Sequence, residues 1–152
     1  MQNYVHISQK SPFVFDYYMF NDQLEKVQKF TDLGITVQNN LKWDKHISEI
    51  VARANKILWC IIRCLGHQAP FEAKRTAYWS LIRSIFEYAP VVWSPITKNN
   101  LQLTESVRCR ASKYIRNNHY LENPLCYKES LKQCNILPLS YRREILDYLF
   151  WV

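Results

Sequence analysis

Hydrophobic and polar positions change period near residue 44 of this 152-residue chain. Up to residue 37 the pattern favours strands. Tyr4-Val5-His6-Ile7 alternates weakly and Ser11-Pro12 breaks it. Phe13 to Phe20 is aromatic and β-branched, and Asn21-Asp22 suits a hairpin turn. A second arm, Val27 to Val37, passes through Leu33-Gly34, where a lone glycine in a strand predicts a bulge or a close backbone approach. These segments predict a small antiparallel unit, too short to be stable alone.

From Asp44 the period becomes helical. Ile47, Ile50, Val51, Ala54, Ile57, Leu58, Ile61, Ile62 and Leu65 form a ladder, with Lys45, Glu49, Arg53, Lys56 and Arg63 on the other side. Asp44 is the expected N-cap and Gly66 the expected C′ residue. A second helix should start at Pro70, bury Ala77, Tyr78, Leu81, Ile82, Ile85 and Ala89, and end or kink at Pro90. Val91 to Thr97 reads as an apolar connector. A third helix, about Asn99 to Arg116, gathers Leu103, Thr104, Val107, Ala111, Tyr114 and Ile115 on one side. Arg108, Arg110, Lys113 and Arg116 spread over its other side. Shorter helices are expected around Pro124 to Cys134 and Ser140 to Phe150. The fold class is therefore α+β, predominantly α: a small antiparallel sheet followed by a helical bundle.

Composition is globular, 48% hydrophobic and 22% charged with two glycines, which argues against a disordered chain. Charge changes the picture more. The net +7 is uneven: residues 42–152 carry 17 basic and 9 acidic side chains, and all nine arginines follow residue 52. A basic, arginine-bearing rear fits a polyanionic partner as well as an ordinary solvated surface. Five cysteines, an odd number, without an opening hydrophobic signal read as reduced thiols of an intracellular, nuclear or cytoplasmic protein that is not secreted. No uncharged run approaches the roughly 20 residues that span a bilayer.

Particular residues then resemble a known family. Thr31-Asp32-Leu33-Gly34, the entry Trp43 to Ile47, Tyr78-Trp79-Ser80-Leu81-Ile82-Arg83, Glu87-Tyr88-Ala89, Glu105…Arg110-Ala111 and Leu137-Pro138-Leu139 with Tyr141-Arg142-Arg143 follow one another in order. That order resembles the segment after the catalytic palm in reverse transcriptases of non-LTR (LINE-like; jockey, RTE or CR1-type) retrotransposons. The resemblance covers most of the chain. It implies residual palm strands at 1–41, a helical thumb-like region at 42–118 and a C-terminal helical extension at 119–152. It also implies an RNA or RNA–DNA duplex as partner, with the upstream palm and fingers of the same polymerase.

The departures bear on activity. Such polymerases hold two Mg ions on paired aspartates. Here Asp16, Asp22, Asp32, Asp44 and Asp147 are scattered and no two are adjacent, so this chain alone is expected to lack a catalytic site and a metal site. The expected nucleic-acid contacts are Arg108, Arg110, Lys113 and Arg116 on the third helix, and Lys45, Arg53, Lys56 and Arg63 on the first. Basic residues on one helix face can neutralise successive phosphates, although a solvated face looks the same. Trp43, Trp59, Trp79 and Trp93 read as core rather than as stacking platforms. Cys60, Cys64, Cys109, Cys126 and Cys134, with His119, lack close zinc-ligand spacing and read as buried structural thiols. His46 and His67 fall near helix ends and read as structural or solvated. The alternative to a polymerase fragment is a stand-alone helical module that binds protein or nucleic acid, or a remnant of a mobile element without function.

Overall fold

The computed structural model describes residues 3–5, 16–20, 22–95, 97–117, 131–132, 134–137 and 139–151. The chain divides into two compact units, Met1–Ser48 and Glu49–Val152. Most of the expected helix over 124–134 lies outside the described residues. The class is α+β with helix predominating.

The first unit is built from short two-stranded ladders. β1 (Asn3–Tyr4) pairs in parallel with β4 (Glu25–Lys26), and β2 (Tyr18–Met19) pairs antiparallel with β3 (Asp22–Gln23). The chain reverses between Met19 and Asp22, one residue earlier than the Asn21-Asp22 turn expected from sequence. β5 (Lys29–Asp32) and β6 (Ile35–Gln38) form the longest ladder, with Asp32 opposite Ile35. Leu33 and Gly34 therefore make a hairpin turn, not a bulge within one strand. Their φ angles, 46° and 80°, are both positive, as a two-residue turn matching the right-handed strand twist requires. Thr36 on β6 is buried, and its amide N–H donates to Nδ1 of buried His46 at 3.3 Å.

α1 (Asp44–Leu65) is the 22-residue helix the sequence ladder specifies. It buries Ile47, Ile50, Val51, Ala54, Leu58 and Ile61 along one side. Gly66, at φ 68°, takes the left-handed C′ position and donates its N–H to the Ile62 carbonyl at 3.0 Å.

In the second unit, α2 (Phe71–Ala77) runs without a break through a π-helical segment, Tyr78–Arg83, into α3 (Ser84–Glu87). The wider turn alters the expected buried face. Tyr78, Ile82 and Phe86 line up at intervals of four and are buried, whereas Leu81 is exposed. The helix stops at extended Tyr88 and left-handed Ala89, and Pro90 then opens a one-turn helix, α4 (Pro90–Trp93), inside the expected connector. α5 (Lys98–Ile115) is capped by Thr97, whose hydroxyl accepts the Asn100 N–H at 3.4 Å. α6 (Leu139–Trp151) packs on α4, and α2 packs on α5. Trp93 is buried as expected, its indole N–H donating to the Tyr88 carbonyl at 2.8 Å.

Candidate nucleic-acid interface

α1 spans roughly 33 Å at 1.5 Å per residue and turns a basic side outward. Arg53, Lys56 and Arg63 are exposed, and no described carboxylate pairs with any of them. Between them stands Trp59, 63% exposed, three residues after Lys56 and four before Arg63. The expectation that Trp59 belongs to the core is corrected. Its spacing from Lys56 and Arg63 put it on the basic side, a signal the apolar ladder beside it masked. An exposed indole forgoes about 2 kcal/mol of burial, and between cations it offers a stacking surface. Lys45, in the first unit, is exposed at the start of the same helix, where its backbone N–H donates to Gln38 Oε1 at 3.4 Å.

Cys60 and Cys64 are exposed on α1 with sulfurs 3.9 Å apart, correcting their reading as buried thiols. Cys60, by hydrogen bond and charge, raises the Cys64 pKa, which disfavours the thiolate needed for metal binding or nucleophilic attack. Cys134 is buried, and burial raises its pKa. Among the described residues no group of three or more His, Cys, Asp or Glu side chains could hold a metal ion.

α5 presents a narrower basic face than the sequence implies. Arg110 and Lys113 are exposed, with Arg110 Nε donating to the Ser106 carbonyl at 3.3 Å, and Arg116 is half-buried. Arg108 is 1% exposed and does not belong to that face. Its side chain turns inward, donating to the Leu137 carbonyl and, at 3.3 Å, to Glu105 Oε1. The reason is tertiary: the segment before α6 supplies a carbonyl acceptor that residues 98–116 cannot reveal. Leu103 conversely is exposed although it shares the expected apolar side.

Inward-facing arginines recur on α6. Arg142 holds Glu87 through Nε (2.8 Å) and Nη2 (3.0 Å), and Arg83 reaches the same carboxylate through Nε at 2.6 Å. Burial pushes the Glu87 pKa up, but the bonds from Arg142 and Arg83 outweigh it and hold the group below its ordinary 4.5. Arg143 is buried over the Trp93 ring, 5.5 Å from the centroid. The Tyr141-Arg142-Arg143 segment thus anchors a helix by its cations.

Among the described residues no helix is long and apolar enough to cross a membrane. No family model matches this chain, and neither a curated protein nor a solved structure is significantly similar to it.

Proposed function

We propose that the helical region grips nucleic acid through its phosphates, as the thumb region of a non-LTR retrotransposon RNA-directed DNA polymerase would grip a template–primer. The observation that carries this reading is the outer side of α1, where Arg53, Lys56 and Arg63 are exposed without carboxylate partners among the described residues and bracket exposed Trp59. Arg110 and Lys113 on α5 add a second exposed pair. Helix-borne cations of this kind engage an A-form RNA or RNA–DNA duplex by shape and backbone rather than by base edges. Chemistry is assigned elsewhere: the paired aspartates that hold two Mg ions would belong to the upstream palm, and this chain supplies grip only.

The test is fluorescence anisotropy with an RNA–DNA hybrid at several salt concentrations. Three or four phosphate contacts give a log K against log salt slope of roughly −3. Changing Lys56 and Arg63 together to Gln should flatten that slope by about two contacts, equally for all sequences. Salt-independent binding, or an unchanged slope in the double variant, would sink the reading. It would favour a helical protein-interaction module instead, for which α6 speaks: Tyr141, Ile145, Tyr148 and Leu149 are exposed at helical spacing.

A further inference from the structure

The π-helical segment, the inward arginines and a cavity coincide. A cavity of about 60 Å³ in the second unit is lined by Tyr78, Trp79 and Arg83 of the π-helical segment, Arg108 of α5, Arg142 of α6 and Asn135. A water needs roughly 10–15 Å³ on this measure, so the space takes a small oxyanion. Turns of π-helix recur at functional sites, where the extra residue re-aims side chains, and half of this segment faces the cavity.

Its walls hold more positive charge and more donors than the protein uses. Three guanidiniums line the space with one carboxylate, Glu87, and Glu105, outside the lining, pairs with Arg108 at 3.3 Å, so three cations face two carboxylates. Arg83 engages Glu87 through Nε and Arg142 through Nε and Nη2, so both Arg83 terminal nitrogens and Arg142 Nη1 have no acceptor among the described residues. Arg108, almost wholly buried and also in hydrogen-bonding reach of the Tyr78 hydroxyl, has an Nε–H with no partner among the described residues. A buried, charged donor left without an acceptor is costly, and such a group asks for an ion or a water.

We infer that this cavity is a phosphate-binding site, in which Arg83, Arg108 and Arg142 converge on a tetrahedral oxyanion with Asn135 at its edge. A phosphate suits it better than a carboxylate because the donors come from three helices in different directions. The planar pairing a carboxylate prefers is already taken by Glu87. The same chemistry is offered by free inorganic phosphate and by the terminal phosphate of a nucleic-acid strand. The site does not depend on the α1 grip, and each can fail without the other.

The test is isothermal titration of the full chain with inorganic phosphate at constant ionic strength, with acetate as comparator. Saturable one-to-one binding is expected, with acetate at least about tenfold weaker and Arg83→Gln weakening phosphate by about tenfold or more. Lys98→Gln, which removes one exposed charge away from the cavity, should leave the titration unchanged. If Arg83→Gln does not fold, Asn135→Gly serves: it keeps the positive φ of 53° and removes only the amide, and a several-fold loss is expected. A second arm compares an oligonucleotide carrying a 5′-phosphate with its 5′-hydroxyl form. Preference for the phosphorylated strand supports the site with a strand terminus as its source, and phosphate binding without that preference supports it with a free anion. No saturable binding of either probe, or equal loss in Lys98→Gln, overturns the inference.

Discussion

At Lys74 an ammonium group is buried with no carboxylate paired to it among the described residues. Its Nζ donates to the His67 carbonyl at 2.8 Å and to Asn117 Oδ1 at 2.6 Å, and lies 4.9 Å from the centroid of Tyr114, whose hydroxyl donates to the Gly66 carbonyl at 2.8 Å. One cation thus joins the loop after α1 to the end of α5. Burial lowers the Lys74 pKa from its ordinary 10.5, so the folded state binds fewer protons than the unfolded state just below that pH, and stability rises with pH there. Buried Tyr78 has the opposite sign: burial raises its pKa above 10, so its contribution is present below 10 and lost at higher pH. Lys74→Met should therefore abolish the rising limb and leave the falling one, measured as urea midpoints from pH 8 to 11. Glu87 sets the acid side. Because its folded pKa is held below 4.5, its contribution is present above 4.5 and lost as pH falls through the folded value. Glu87→Gln should cost about 1–3 kcal/mol at pH 7, by leaving two guanidiniums without their carboxylate, and should flatten the acid limb. An equally steep acid limb in the variant would show that other carboxylates control it.

Among the elements, α1 was legible because its residues obey one period from Ile47 to Ile61 and its end carries Gly66, so local pattern and tertiary burial agree. The π-helical segment was not legible. No residue type from Tyr78 to Arg83 marks a widened turn, and the pattern with Leu81 and Ile85 fits an ordinary helix equally well. The Leu33-Gly34 turn was read as a bulge, because Gly tolerates the positive φ but Leu33, at φ 46°, adopts it against its preference and gives no turn signal. Of the candidate contacts, the α1 residues were placed correctly on an outward side because their helix is long and regular. Arg108 failed because its acceptor lies 29 residues downstream. A widened turn behaves as one surplus residue in a regular helix. Removing exposed Ser80 is expected to keep the flanking faces aligned, cost about 1–2 kcal/mol and preserve far-UV helicity. Inserting an alanine at the same point turns α3 by about 100° relative to α2 and should unfold the second unit. Equal damage from deletion and insertion, read by circular dichroism and thermal melts, would contradict this account.

For the whole molecule, the exposed apolar side chains matter most. Tyr17, Tyr18, Met19 and Phe20 are exposed in the first unit, and Tyr148, Leu149, Phe150 and Trp151 in the second. Patches of this kind drive association, so sedimentation of the purified chain should show concentration-dependent self-association. A clean monomer at high micromolar concentration would refute that. α6 has a further consequence for the order in which the protein comes apart. It is turned inside out, with Arg142 and Arg143 facing inward and its aromatic residues outside, so charge rather than oil fastens it. Acid loosens that fastening as soon as Glu87 takes up a proton, while the apolar side of α1 is indifferent to pH. Amide hydrogens of α6 should then exchange with solvent well before those of α1 as the pH is lowered, which makes the C-terminal helix the first piece to detach.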